Sequence, residues 1–317
     1  MRRHVAWLIA TAIASPVGAA DLLDITHFNT TYVATRSDGA AHRSGTGGVI
    51  YTVQPTGGGG ALNGIAYLSG FFVAVGDGGR VVRSSNGGLD WSNENAQTTA
   101  NLHRVIAHDA LYLVAVGDGG TTLRRIGTAA VWDTTASPGN VALRDVASNG
   151  NILVAVGDDG TVLRSTDQGL SWNRQTLPGA PDLRGVTTRA NASIFAAVGL
   201  GGRIVRSTNL GIDWEDVTSP TSQNLLDVVQ DSNNFVAVGA AGTILRSSTN
   251  NAASGTWAVV DAGVVSTLRA VWYDGTRFYA AGDGEVVMRS FDGTAWIQTA
   301  VEASAWTDVK SLFRPSR

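Results

Sequence analysis

A short motif returns along this chain every 40 to 43 residues, and that period limits the folds open to it more than any other feature. FVAVGDGG at 72–79 recurs as LVAVGDGG at 113–120 and LVAVGDDG at 153–160. Looser copies are AAVGLGG at 196–202, VAVGAAG at 236–242 and AAGDGE at 280–285, and YVATRSDG at 32–39 is weaker still. The glycine of the motif stands at Gly76, Gly117, Gly157, Gly199, Gly239 and Gly282, and the weak copy puts Arg36 there. Other columns keep step. A Leu-x-x-Val/Ile start opens the units at 22, 62, 102, 143, 183, 225 and 268. An arginine follows the glycine by seven residues, at Arg43, Arg83, Arg124, Arg164, Arg206, Arg246 and Arg289. An aromatic comes next, at Tyr51, Trp91, Trp132, Trp172, Trp214, Trp257 and Trp296.

Seven units result, at about 22–61, 62–101, 102–142, 143–182, 183–224, 225–267 and 268–300. Each reads as four short strands: the Leu-x-x-Val start, the apolar VAVG run, a TVLRS-type strand and a strand opening at the aromatic. Asp-Gly between the second and third predicts a two-residue hairpin turn. Four-stranded units near 40 residues predict a propeller. Ring closure buries both faces of each blade, which explains a second strand that is apolar at every position. The fold expected is all-β: a seven-bladed β-propeller of four-stranded antiparallel blades. Trp306-Thr307-Asp308-Val309 looks like the start of an eighth unit. Residues 301–317 are therefore expected to act as a closing strand, competing with residues 22–25 for the inner place of the first blade.

Residues 1–20 read as a signal peptide. Arg2 and Arg3 precede a short apolar run, and Gly18-Ala19-Ala20 offers a small-residue cleavage site. The propeller then spans 21–317, exported to a periplasmic or extracellular space. Removing Arg2 and Arg3 leaves 21 basic residues against 26 acidic ones, which disfavours nucleic acid as a partner. The absence of cysteine excludes disulfides, thiol nucleophiles and Cys-ligated zinc.

Ser165-Thr166-Asp167-Gln168-Gly169-Leu170-Ser171-Trp172 follows S-x-D-x-G-x-x-W throughout, the Asp-box or bacterial neuraminidase repeat. Copies at 84–91 and 207–214 carry Asn for Asp, the copy at 290–296 is one residue short, and that at 247–257 has an insertion. The stretch VAVGDDGTVLRSTDQGLSW at 154–172 resembles the photosystem II stability/assembly factor family of Asp-box propellers, over nearly all of the chain after residue 20. The resemblance implies a non-catalytic scaffold that binds protein partners, in an envelope or membrane complex, without a cofactor.

The Asp-box also resembles that of sialidases, which implies as an alternative a sialidase-like glycoside hydrolase or a glycan-binding propeller. Such an enzyme needs three arginines, a Tyr–Glu pair and an acid. The chain has four Glu (Glu94, Glu215, Glu285 and Glu302) and no Arg-Ile-Pro near its start, so no catalytic residues are assigned. The Gly-Asp-Gly-Gly turns lack the features of a phosphate loop or a calcium loop. His103 and His108, five apart on one strand, face opposite ways, so no metal site is expected. The arginine column reads as structural, tying each hairpin to its neighbour. Ser165, Asp167, Gly169, Trp172, Trp91, Trp214, Trp296, Arg83, Arg164, Arg206, Arg246 and Arg289 belong to this structural set.

One rim should gather the second-to-third turns and the entries of the first strands. There the units differ. The residue after the leading Leu is Leu23, Asn63, His103, Arg144, Arg184, Leu226 or Arg269, while the turns carry Asp38, Asp77, Asp118, Asp158 and Asp283 but Leu200 and Ala240 in two units. His103, Arg104, Arg144, Arg184, Arg269, Asp77, Asp118 and Asp158 are the candidate partner-binding residues. Mutual salt pairing on the surface is the simpler reading of the same residues.

Overall fold

The computed structural model describes residues 20–299 apart from 110, 130, 136, 180, 190, 191 and 232. Seven four-stranded antiparallel sheets follow one another, each built from consecutive strands in sequence order. The chain is thus a seven-bladed propeller. The inner strands are Leu22–Phe28, Leu62–Leu68, Leu102–His108, Leu143–Asn149, Leu183–Thr188, Leu225–Gln230 and Leu268–Tyr273. All six residues of the second strand Phe71–Gly76 are buried, as continuous apolar character requires.

The core is divided between blades. Seven apolar clusters each draw on two neighbouring units. Val114 and Val116 of the third unit, for example, pack with Leu153, Ala155, Leu163 and Trp172 of the fourth. One cluster joins Tyr32 and Tyr51 of the first unit to Tyr279 and Val287 of the last, so the ring is closed.

The glycine column has a steric cause. At Gly76 a Cβ would come within 1.9 Å of the Ala61 carbonyl oxygen, and at Gly157 within 2.1 Å of that of Ala142. That carbonyl accepts the N–H of the next residue, as in Asp158 to Ala142 at 3.0 Å. The chain entering each blade therefore presses on the end of the second strand, and a side chain has no room.

One expectation changes here. The connection after the VAVG strand is not a two-residue hairpin. Val75 pairs with Val81, and the span between holds one 3-10 turn, Asp77–Gly79, with positive φ at Gly78 and Gly79 and not at Asp77. The wider loop leaves space for the entering strand. The inner place of the first blade belongs to Leu22–Phe28, paired with Thr31–Arg36. The expected closing strand at 301–317 and the signal peptide, up to residue 19, lie outside the described residues. Among the described residues no helix is long and apolar enough to cross a membrane.

Candidate functional site: the mouth of the central tunnel

Every inner strand carries the same irregularity. Its pairing slips between the leading Leu and the residue two places on, as at Leu22/Asp24, Leu143/Asp145 and Leu225/Asp227. The other four blades repeat it. A bulge leaves one residue unpaired and re-aims its side chain. That residue is the one after the Leu, and Leu23, Asn63, His103, Arg144, Arg184, Leu226 and Arg269 together line one cavity of about 200 Å3.

Around this mouth the polar groups form a chain. His103 Nε2 lies 2.6 Å from Asp118 Oδ1 and 2.9 Å from Arg144 Nη1. Arg144 grips Asp158 with two bonds, Nε at 3.0 Å and Nη2 at 2.6 Å. Arg184 donates to the same Asp158 at 2.9 Å and to Asp182 at 2.8 Å. Arg269 donates to Asp283, and Asn63 to Asp77 at 2.9 Å. The hydrogen bond from Arg144 holds Asp158 below the usual carboxylate range. Pairs this exposed add little stability. What they do is fix the guanidinium planes, leaving Arg144, Arg184 and Arg269 between 23% and 37% exposed. The fifth and sixth turns, with Leu200 and Ala240, offer no carboxylate, so the mouth is charged along one arc and apolar beside Leu226.

Arg104 is not a rim residue. It lies one step deeper and reaches across the tunnel, 2.6 Å from Asp24 and 3.1 Å from Asp145. Burial works against its charge, but Asp24, Asp145 and Asp227 more than offset that and raise its pKa. Asp38 also departs from the rim pattern: the first unit lacks the 3-10 turn, and Asp38 pairs with Arg36 at 2.7 Å. Asp24, Asp145 and Asp227 were missed from sequence. Each carboxylate accepts its next residue's N–H and one from the next blade's inner strand, as Asp145 does from Val146 and Val186. A Leu-x-Asp column in three of the seven units was the available signal.

On the opposite face the Asp-box residues form a local cap. Ser165 Oγ accepts the Gly169 N–H at 2.9 Å, and Asp167 Oδ1 accepts that of Ser171 at 2.9 Å. Gly169 takes φ of 83°. Trp172 is buried beneath, as is Trp296, while Trp91 and Trp214 are half-buried. Four arginines of the column reach the box turn of the next blade: Arg43 to Gly87 O at 2.6 Å, Arg164 to Leu210 O at 2.7 Å, Arg206 to Asn251 O at 2.9 Å and Arg246 to Asp292 O at 2.8 Å. Arg83 and Arg124 instead lie over Phe71 and Tyr112, at 4.3 and 4.1 Å from the ring centres. Arg289 makes neither contact among the described residues.

The Glu residues are engaged elsewhere. Glu94 pairs with buried Arg125 at 3.0 Å, Glu215 with Arg206, and Glu285 with Arg36 at 2.7 Å. Glu302 lies outside the described residues. His108 stacks on Tyr112 far from the mouth, and no group of three metal-ligating side chains occurs among the described residues.

Comparison with known proteins reaches this chain through its fold. No family model and no curated protein matches it. Among solved structures, "YCF48 bound to D1 peptide" superposes with a TM-score of 0.72 at 16% identity, over 87% of this chain and 93% of that one. YCF48 from Cyanidioschyzon merolae gives 0.70 at 15%, over 87% and 97%. The chain shares the fold of YCF48. The computationally designed Ika8 protein gives 0.63 at 12%, over 86% and 96%. YCF48 is a photosystem II assembly factor, and what this chain shares with it is the seven-bladed fold.

Proposed function

We propose that this chain is an exported, non-catalytic propeller that holds a peptide segment of a partner protein across the tunnel mouth, as an assembly or stability scaffold for an envelope or membrane complex. The observation that carries the reading is the mouth itself. Seven bulged residues from seven blades converge there, with three arginines pre-oriented by Asp158, Asp182 and Asp283. Pre-orientation lowers the ordering cost of binding. A fold neighbour solved with a D1 peptide supports a peptide as the class of ligand. The engagement of Glu94, Glu215 and Glu285 with arginines speaks against the sialidase-like alternative.

The test is affinity capture from the native envelope followed by mass spectrometry, comparing wild type with Arg144→Glu/Arg184→Glu. Partners should be captured by the first and lost by the second at an unchanged melting temperature. Undiminished capture removes the mouth from consideration, and turnover of fluorogenic glycosides would favour the alternative.

A further inference from the structure

The two faces of the ring differ in apolar exposure. Fourteen large apolar side chains stand exposed among the described residues. Strand direction alternates within a blade, so the turn after each inner strand and the box turn after each third strand open on one face, opposite the mouth. Ten of the fourteen lie on those turns or on the residues leading into them, three lie on outer strands, and one, Val265, lies on the side of the mouth. Singly exposed apolar side chains are ordinary on a protein surface. Their confinement to one face is not, since turns occur equally on both.

The box geometry aims these side chains. Gly48, Gly88, Gly169 and Gly211 take φ between 74° and 83°, and the N–H of each donates to the box serine, as Gly88 does to Ser84 Oγ at 2.9 Å. The chain reverses there. The aromatic three places on turns in, and the residue directly after the glycine stands out: Val49, Leu89, Leu170 and Ile212 are all more than 40% exposed. Val131 in the third unit and Phe291 in the seventh stand exposed on the corresponding turns. Six of the seven blades thus carry an apolar tip at the periphery. Nearer the axis, on the turns after the inner strands, are Leu111 and Phe28, the latter stacked on Tyr67 at 4.2 Å.

A stable protein interface needs about 800 Å2 on each partner with a contiguous apolar core. Here each tip is alone on its turn among Ser, Asn and Asp, so neither a second copy nor another protein finds such a core. A bilayer needs none, because separate tips enter it independently and their buried areas add. The charges around the tips are of both signs. The guanidiniums of Arg43 and Arg246 rest on carbonyls, and those of Arg83 and Arg277 on rings. Asp90, Asp213 and Asp292 accept amide and hydroxyl groups of their own turns. Among the described residues these seven groups form no ion pairs with one another. Interspersed cations and anions complement a headgroup that carries both a phosphate and an ammonium. We propose that the Asp-box face docks on a zwitterionic phospholipid bilayer, its apolar tips inserted below the headgroups and the tunnel mouth held away from the membrane.

Flotation of the full chain with phosphatidylcholine vesicles tests this. Binding is expected, and it should persist at about 0.5 M sodium chloride, where surface charges are largely screened. Leu89→Gln, Leu170→Gln and Ile212→Gln should each weaken it by about fivefold, and together by about a hundredfold, at an unchanged melting temperature. The chain has no cysteine, so Leu170→Cys and Val265→Cys each give one site for a polarity-sensitive dye. Vesicles should shift the emission of the first to the blue and leave the second unchanged. No binding, binding lost in salt, binding that survives the triple substitution, or equal dye shifts on the two faces overturns the proposal. A dimer that forms without vesicles and is dispersed by the same substitutions assigns the face to a second copy, and overturns it too.

Discussion

Six joints of this ring join blades that are neighbours in the chain, while the seventh joins its two ends, and the bonds that cross them differ in balance. At internal joints apolar packing recurs with bonds from a side chain to the next blade's backbone, and side-chain pairs such as Arg125–Glu94 and Arg184–Asp158 add to them at some. Asp24 accepts the N–H of Ile65 at 2.9 Å, Asp145 that of Val186 at 2.7 Å and Asp227 that of Val271 at 2.8 Å. Where the aspartate is missing, Gly64 and Gly185 let the next strand lie so close that a Cβ would be 2.9 or 2.8 Å from its Cα atoms. At the seam, beside the apolar cluster, side chains pair with side chains. Arg36 pairs with Glu285 at 2.7 Å, Tyr32 donates to Asp274, and Trp272 donates to His27. Arg36 and Glu285 occupy positions that are glycine in the other units. Among the described residues no loop joins the first and last blades, and specific cross-links stand where chain connectivity serves the other joints.

The largest effect should come from an internal joint. Trp172 fills the slab between the third and fourth blades and is 5% exposed. Trp172→Ala should cost about 3–5 kcal/mol in a urea melt. Its Nε1 has no hydrogen-bond partner, so Trp172→Phe should be far milder. Equal losses from the two changes would mean that a six-membered ring restores none of the packing, and that apolar bulk is not what holds this joint.

The seam comes next. Glu285→Gln removes one charge from a pair whose side chains are 8% and 16% exposed, while Arg36 keeps Asp38. The cost expected is about 1.5–3 kcal/mol. An unchanged melting curve would show that the tyrosine-lined cluster closes the ring unaided, and the contrast between joints would collapse.

The unequal legibility of joints and seam follows from how each is encoded. The blades were readable because glycine, leucine, arginine and tryptophan recur for reasons internal to one unit or one pair of neighbours. Gly76 and Gly157 avoid a carbonyl, and Trp172 fills a slab. The rim column was readable too, since Arg144 and Arg184 occupy one register. That a bulge turns this register into the tunnel was not, because a bulge depends on the backbone of two strands and not on residue type. Arg104 was misplaced for a related reason. Its partners Asp24 and Asp145 sit in other units, and only ring closure brings them within reach. Arg36 and Glu285 stand out in sequence merely as departures from glycine, and nothing local marks them as partners.

The hub on the axis gives an effect on the order of 2 kcal/mol, with a definite sign. Asp227 titrates higher in the folded protein than in the unfolded chain, so the folded state binds the extra proton. Its stabilising contribution is complete at low pH and is lost as pH rises towards about 7. Wild type should therefore lose stability relative to Asp227→Asn between pH 5 and 8. His42, held down to about 4 by burial and then Arg36, acts in the opposite sense in acid, which is why the comparison must be with the variant. Parallel curves would show that the carboxylate cluster is solvated, and that the axis contributes nothing beyond the joints.

The smallest effect separates charge from geometry at the internal joints. Arg164 donates from Nε to the Leu210 carbonyl at 2.7 Å, a bond that uses the position of one nitrogen part-way along the side chain. Lysine keeps the charge but has no donor there. Arg164→Lys should therefore cost about 1 kcal/mol by urea denaturation, the value of one such bond. The same change at Arg83, whose guanidinium lies over Phe71 and whose Nε makes no hydrogen bond, should lose stacking and not a carbonyl contact. If Arg164→Lys is neutral while Arg83→Lys is not, ring stacking explains the conserved register of this column within the chain, and the reach to the next blade is incidental to it.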